Sequence, residues 1–79
     1  MKYYPIHNSR YAIVNGTTVK VPAGINFITI NMDDEMQGWS HCPKLHEGYW
    51  VSSISRPTLM GKVELDEDDS WTKVFEVMG

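Results

Sequence analysis

At 79 residues the chain has room for one domain, and a composition of 42% hydrophobic and 22% charged residues is that of a globular protein, which excludes wholesale disorder. A net charge of −3 with no basic stripe argues against ordinary nucleic-acid binding, and no apolar run approaches membrane-spanning length. Cys42 is the only cysteine, so an intramolecular disulfide is excluded and a reducing compartment is favoured. Residues 1–5 lead into no apolar signal-peptide core. The expectation is a soluble, cytoplasmic protein in which 1–79 forms a single domain.

Along the chain, the first clear signal is Tyr11-Ala12-Ile13-Val14, then Asn15-Gly16, then Thr17-Thr18-Val19-Lys20-Val21. Asn-Gly between two β-prone runs predicts a hairpin with a type I′ turn, because both residues tolerate positive φ. Val19 and Val21 should face one side, Thr18 and Lys20 the other. Pro22-Ala23-Gly24 ends that strand as a turn. Residues 25–32 follow, with Ile25 and Phe27 on one face and Ile28, Ile30 and Met32 on the other. A strand apolar on both faces belongs inside a covered sheet. Residues 33–35 read as a turn and 36–41 as an antiparallel return carrying Gln37, Trp39 and His41 on one side.

Residues 42–44 interrupt the chain, and 48–53 supply a short strand through Tyr49, Trp50 and Val51. Trp39 and Trp50 are expected as cross-strand neighbours. Residues 54–60, which contain Pro57, read as a loop, and Lys62-Val63-Glu64-Leu65 alternates as a final strand would. Trp71, Val74, Phe75 and Met78 then fall at i, i+3, i+4 and i+7, one stripe of a helix capped by Asp68, Asp69 or Ser70. The predicted class is therefore α+β and β-dominated. It has five or six short antiparallel strands, as a curled sheet or small barrel, with one C-terminal helix. That helix covers one face of the two-faced strand, so a barrel-like curl or a second copy is expected to cover the other.

Charge is unevenly divided. Residues 1–32 carry Lys2, Arg10 and Lys20 and no acid, whereas 33–79 carry all the acids, densest at Glu64, Asp66, Glu67, Asp68 and Asp69. Acids preceding a helix favour its positive end, so this cluster has a structural reading as well as a partner-binding one. His41, Cys42 and His46, with distant His7, are the nearest approach to a metal set. Adjacent strand residues point to opposite faces, however, and zinc prefers two spaced pairs of ligands. A Cys42–His nucleophile pair has no catalytic context. The six glycines are scattered and form no phosphate-binding loop. Aromatic residues at 39, 49 and 50 lack the Lys and Arg that base stacking would need beside them. The expectation is a non-enzymatic protein without metal or cofactor.

From Ile28 onward the order of features resembles a loose pattern in small accessory proteins of tailed phages and prophages. It comprises the apolar strand and acidic turn Ile28-Thr29-Ile30-Asn31-Met32-Asp33-Asp34, then Trp39 and Pro43, then Trp50, then Val63-Glu64-Leu65, then acids running into Trp71. The pattern spans about 50 residues of spacing between common residue types. This resemblance implies an early-region protein that binds, and inhibits or redirects, a host protein such as a defence component. On the residues themselves, Glu64, Asp66, Glu67, Asp68, Asp69 and Arg56 are the candidate partner-binding set. The alternatives are an oligomer that traps a small molecule or nucleotide where two copies meet, and a minor structural protein of a virion.

Overall fold

The computed structural model describes residues 10–77, and every regular element among them is a strand. In chain order these are β1 (Arg10–Val14), β2 (Thr17–Val21), β3 (Phe27–Ile30), β4 (Glu35–Trp39), β5 (Lys44–His46), β6 (Tyr49–Val51), β7 (Thr58–Lys62) and β8 (Phe75–Glu76). They form an antiparallel β1–β2 hairpin, a four-stranded sheet in the order β7-β4-β3-β8, and an antiparallel β5–β6 hairpin.

The Asn-Gly turn forms as expected. Asn15 at φ 48° and Gly16 at φ 80° occupy the two positive-φ positions of a type I′ turn. The register places Ala12 opposite Val19 and Val14 opposite Thr17. Ala12, Val14 and Val21 turn inward, while Tyr11, Ile13, Thr18 and Lys20 are exposed. The β3–β4 connection is organised by Asn31, which is 7% exposed. Its Oδ1 accepts from the backbone N–H groups of Asp33 (2.9 Å) and Glu35 (3.1 Å), and its Nδ2 donates to Glu35 Oε1 (3.2 Å). This Asx turn lets Asp34 sit at φ 59°.

Directly opposed residues share a face of a sheet. Ile28 and Ile30 therefore lie on the same face as Gly38 and Met36. The first hairpin closes over this side, adding Ala12, Val14 and Val21 to a core with Ile25, and Val63, Leu65, Trp71, Phe75 and Val77 pack around it half-buried. Phe27, Thr29, Gln37 and Trp39 occupy the other face. There the Trp39 Nε1–H donates to Thr29 Oγ1 at 2.9 Å, and both residues are fully enclosed. The β5–β6 hairpin is anchored to β3 by Trp50, whose Nε1–H donates to the Ile30 carbonyl at 2.9 Å. Backbone approach at the sheet centre is close: a Cβ on Gly38 would lie 2.8 Å from Ile25 Cγ2 and 3.0 Å from Met60 Sδ.

Several expectations are corrected. No C-terminal helix exists among the described residues, so the fold is all-β rather than α+β. Phe75 and Glu76 instead pair with Ile28 and Phe27, and the Val77 N–H donates to the Asn26 carbonyl at 3.0 Å. The physical reason is that buried β3 must satisfy backbone groups on two edges, which a docked helix cannot do. Met78, the last member of the helical stripe, lies outside the described residues. The three small sheets do not close into a barrel. The strand expected at 62–65 sits earlier, in β7, whose residues 58–60 were expected in a loop, and β5 begins at Lys44, the last residue of the expected interruption. Trp39 and Trp50 are not cross-strand partners: Trp39 opposes Phe27 and Trp50 opposes Leu45. On the second face of β3, Thr29 and Trp39 are enclosed by the same chain.

Two substitutions test this packing. Thr29→Val keeps the shape but leaves the buried Trp39 N–H without an acceptor, and should lower stability by about 1–3 kcal/mol in urea unfolding. Adding Trp39→Phe should cost less than the sum of the two single changes. Gly38→Ala forces Ile25 and Met60 aside and should destabilise by about 1–3 kcal/mol, the range of an overpacked core.

Candidate functional site

The acidic residues of 64–69 do not cap a helix. They lie on a strap between β7 and β8 whose Val63 and Leu65 pack against the core. Three sets of backbone-directed hydrogen bonds hold it. The Val63 N–H donates to the Asp34 carbonyl at 2.8 Å, tying the strap to the β3–β4 turn. At the far end Asn15 makes a two-way clasp with Ser70: its Nδ2 donates to the Ser70 carbonyl and its Oδ1 accepts from the Ser70 N–H, both at 3.0 Å. Between these anchors the Asp66 N–H donates to Asp69 Oδ2 at 2.9 Å, and the Asp69 N–H donates to the Asp66 carbonyl at 3.0 Å. Asn15 thus serves twice, as a positive-φ turn residue and as the clasp.

Glu64, Asp66, Glu67 and Asp68 are exposed and Asp69 is half-buried. None of them pairs with a cation among the described residues, where the one ion pair is His46 Nε2 with Glu47 Oε2 at 3.9 Å. The strap therefore presents an un-neutralised acidic surface in a fixed conformation. Arg56 is exposed in the connection between β6 and β7 and makes no ion pair with the strap among the described residues.

Beneath the strap, between it and the first hairpin, lies a cavity of about 240 Å³. Val14, Val19, Ile30, Met36, Val63 and Leu65 contribute its apolar lining, and Asn15, Thr17, Glu64 and Asp69 its polar part. Of the candidate residues named from sequence, Glu64 and Asp69 line this cavity. Asp66, Glu67 and Asp68 occupy the same strap outside the lining, and Arg56 belongs to neither group. The sequence reading missed the cavity because its walls come from five separate segments.

No three His, Cys, Asp or Glu side chains converge on a common point among the described residues. His41 Nδ1 lies 3.0 Å from Ser40 Oγ, Cys42 is exposed, and His7 lies outside the described residues. No helix among the described residues is long and apolar enough to cross a membrane. No protein-family profile, curated protein or solved structure matches the chain.

The clasp makes a direct prediction. Asn15→Ala removes two side-chain hydrogen bonds to the Ser70 backbone and places an alanine at positive φ. Stability should fall by about 1–3 kcal/mol. Backbone amides of 66–70 should lose hydrogen-exchange protection before those of β3 and β4 do.

Proposed function

We propose that the protein is a non-enzymatic binding protein that uses the acidic strap to engage a cationic surface on another protein. The observation that carries this reading is a strap of carboxylates held rigid by backbone hydrogen bonds and left without cationic partners of its own. Fixing the charges before binding lowers the ordering cost of association, and a field of one sign accelerates encounter with an oppositely charged surface. A purely structural loop needs the clasp but does not need Asp66, Glu67 and Asp68, whose side chains make no hydrogen bond among the described residues. Taken with the resemblance to accessory proteins of tailed phages, the partner in this reading is a host protein of the bacterial cytoplasm, and binding inhibits or redirects it. The same acidic character disfavours the alternative of a nucleotide-trapping oligomer, because phosphate would meet carboxylates.

The test is comparative capture from bacterial lysate with the wild-type chain and a variant carrying Asp66→Lys, Glu67→Lys and Asp68→Lys. The wild type should retain a defined partner, the variant should lose it at equal folded concentration, and added salt should weaken the wild-type complex. Unchanged capture by the charge-reversed variant assigns the contact elsewhere on the molecule.

A further inference from the structure

The cavity under the strap has a chemistry separate from that of the exposed acids. Its floor is the end of the core itself: Ile30 and Met36 from the central sheet, with Val14 and Val19 from the first hairpin. Val63 and Leu65 wall it from the strap side, and Glu64 and Asp69 are the charged groups of the lining, with no lysine, arginine or histidine. A cavity of roughly 150 Å³ lined by aliphatic and aromatic side chains holds a benzene molecule. At about 240 Å³ this one accommodates such a ring and leaves further space. That remainder, roughly three water volumes, leaves room for a short arm ending in a polar group.

The two carboxylates decide the sign of that polar atom. An ammonium group among them gains charge-assisted hydrogen bonds, whereas a carboxylate or phosphate meets like charge in a partly desolvated site. The strap that carries both acids is fixed by the Asn15–Ser70 clasp and by the Val63–Asp34 hydrogen bond, so this side of the cavity is formed before any ligand arrives. Asp69 spends one oxygen, Oδ2, on the Asp66 N–H. Its other oxygen and the Glu64 carboxylate make no hydrogen bond within the described residues.

We propose that this cavity is a binding site for a small arylalkylamine, its ring seated on Val14, Val19, Ile30 and Met36 and its ammonium held by Glu64 and Asp69. The site is independent of the partner contact assigned to Asp66, Glu67 and Asp68.

The experiment is a titration of the folded chain with 2-phenylethylamine, followed by methyl and amide NMR shifts, beside parallel titrations with phenylacetate and 2-phenylethanol. The amine should bind saturably, with shifts centred on Val14, Val19, Ile30, Val63 and Leu65. Phenylacetate should bind at least about tenfold more weakly because attraction becomes repulsion. Glu64→Gln should weaken the amine about three- to tenfold while leaving 2-phenylethanol unchanged, as expected for loss of one charge-assisted contact at a partly exposed site. Asp69→Asn, which retains an acceptor for the Asp66 N–H, should do the same. Val19→Phe, which fills the cavity from the hairpin side, should abolish binding with thermal stability equal or raised. The charge reversal at residues 66–68 should leave amine binding within about threefold of wild type, since those charges lie outside the lining and are screened by salt. No saturable binding by the folded wild type, equal binding of amine and carboxylate, or shifts centred away from the lining overturns the proposal. If Val19→Phe raises stability and the wild type binds nothing, the cavity is a packing defect.

Discussion

The fold turns on the demands of β3. Thr29, Ile28 and Ile30 are each 1% exposed or less, so this strand has to be covered on both faces and paired on both edges at once. A 79-residue chain has few elements with which to meet four demands. β4 pairs one edge, and β8 takes only the first half of the other, at Phe27 and Ile28. Beyond the reach of β8, the Ile30 carbonyl is satisfied by the indole of Trp50 instead of by a strand. The first hairpin covers one face with small and branched side chains, and Trp39 lies with Thr29 on the other. Each indole is amphipathic in the way that this position needs, with a broad apolar body and a single donor at its rim. Trp39 uses the donor on a side-chain hydroxyl, and Trp50 uses it on the backbone.

The two-faced character of β3 was legible in the sequence, because Phe27, Ile28 and Ile30 leave neither face polar. So was the first hairpin, whose Asn15-Gly16 pair admits few other conformations. These are local signals. What β3 pairs with on its second edge is not local, and here the periodicity of 71–78 misled. Trp71, Val74, Phe75 and Met78 match a helical stripe, but Phe75-Glu76-Val77 also alternates with a period of two. A helix of eight or nine residues rich in Thr, Val and Phe is weak on its own. An unpaired backbone edge on the most buried strand outweighs that weak preference. The acids at 66–69 looked like a helix cap for a related reason: the same short side chains that cap helices also close turns, as Asp69 does on Asp66. The partner of Trp50 was equally out of reach, since one indole hydrogen bond leaves no period behind it.

The candidate site follows from the same shortage of elements. With β8 only two residues long, the chain between β7 and β8 has to cross the end of the core as irregular backbone. Irregular backbone near a core needs its polar groups satisfied, and the strap does so by borrowing the Asp34 carbonyl, the Asn15 side chain and its own Asp69. The strap is therefore rigid without being part of a sheet. Val63 and Leu65 still pack against the core, but Glu64, Asp66, Glu67 and Asp68 are exposed, so acids sit there with no cost to the core. Of the candidate residues, the cluster was visible as composition, but its division was not. Glu64 and Asp69 belong to the lining of the cavity, while Asp66, Glu67 and Asp68 lie outside it.

A cavity of about 240 Å³ is large for so small a domain. If it were sealed and dry, the empty volume would cost about 6 kcal/mol at ~24 cal/mol per Å³, comparable with the whole stability of about 4–12 kcal/mol expected at this length. A dry void on that scale is not sustainable here, so the space is open to solvent. Water in an apolar-floored space makes few hydrogen bonds there, and displacing it by a ring of matching shape is favourable. Larger side chains at Val14, Val19 or Val63 would close the space from three different segments, and each is valine instead. The strap is anchored at Val63 and at Ser70, on either side of Glu64, Leu65 and Asp69, which line the space. The open volume and the fixed strap beside it are thus two consequences of one arrangement, with Asn15 holding the strap at Ser70.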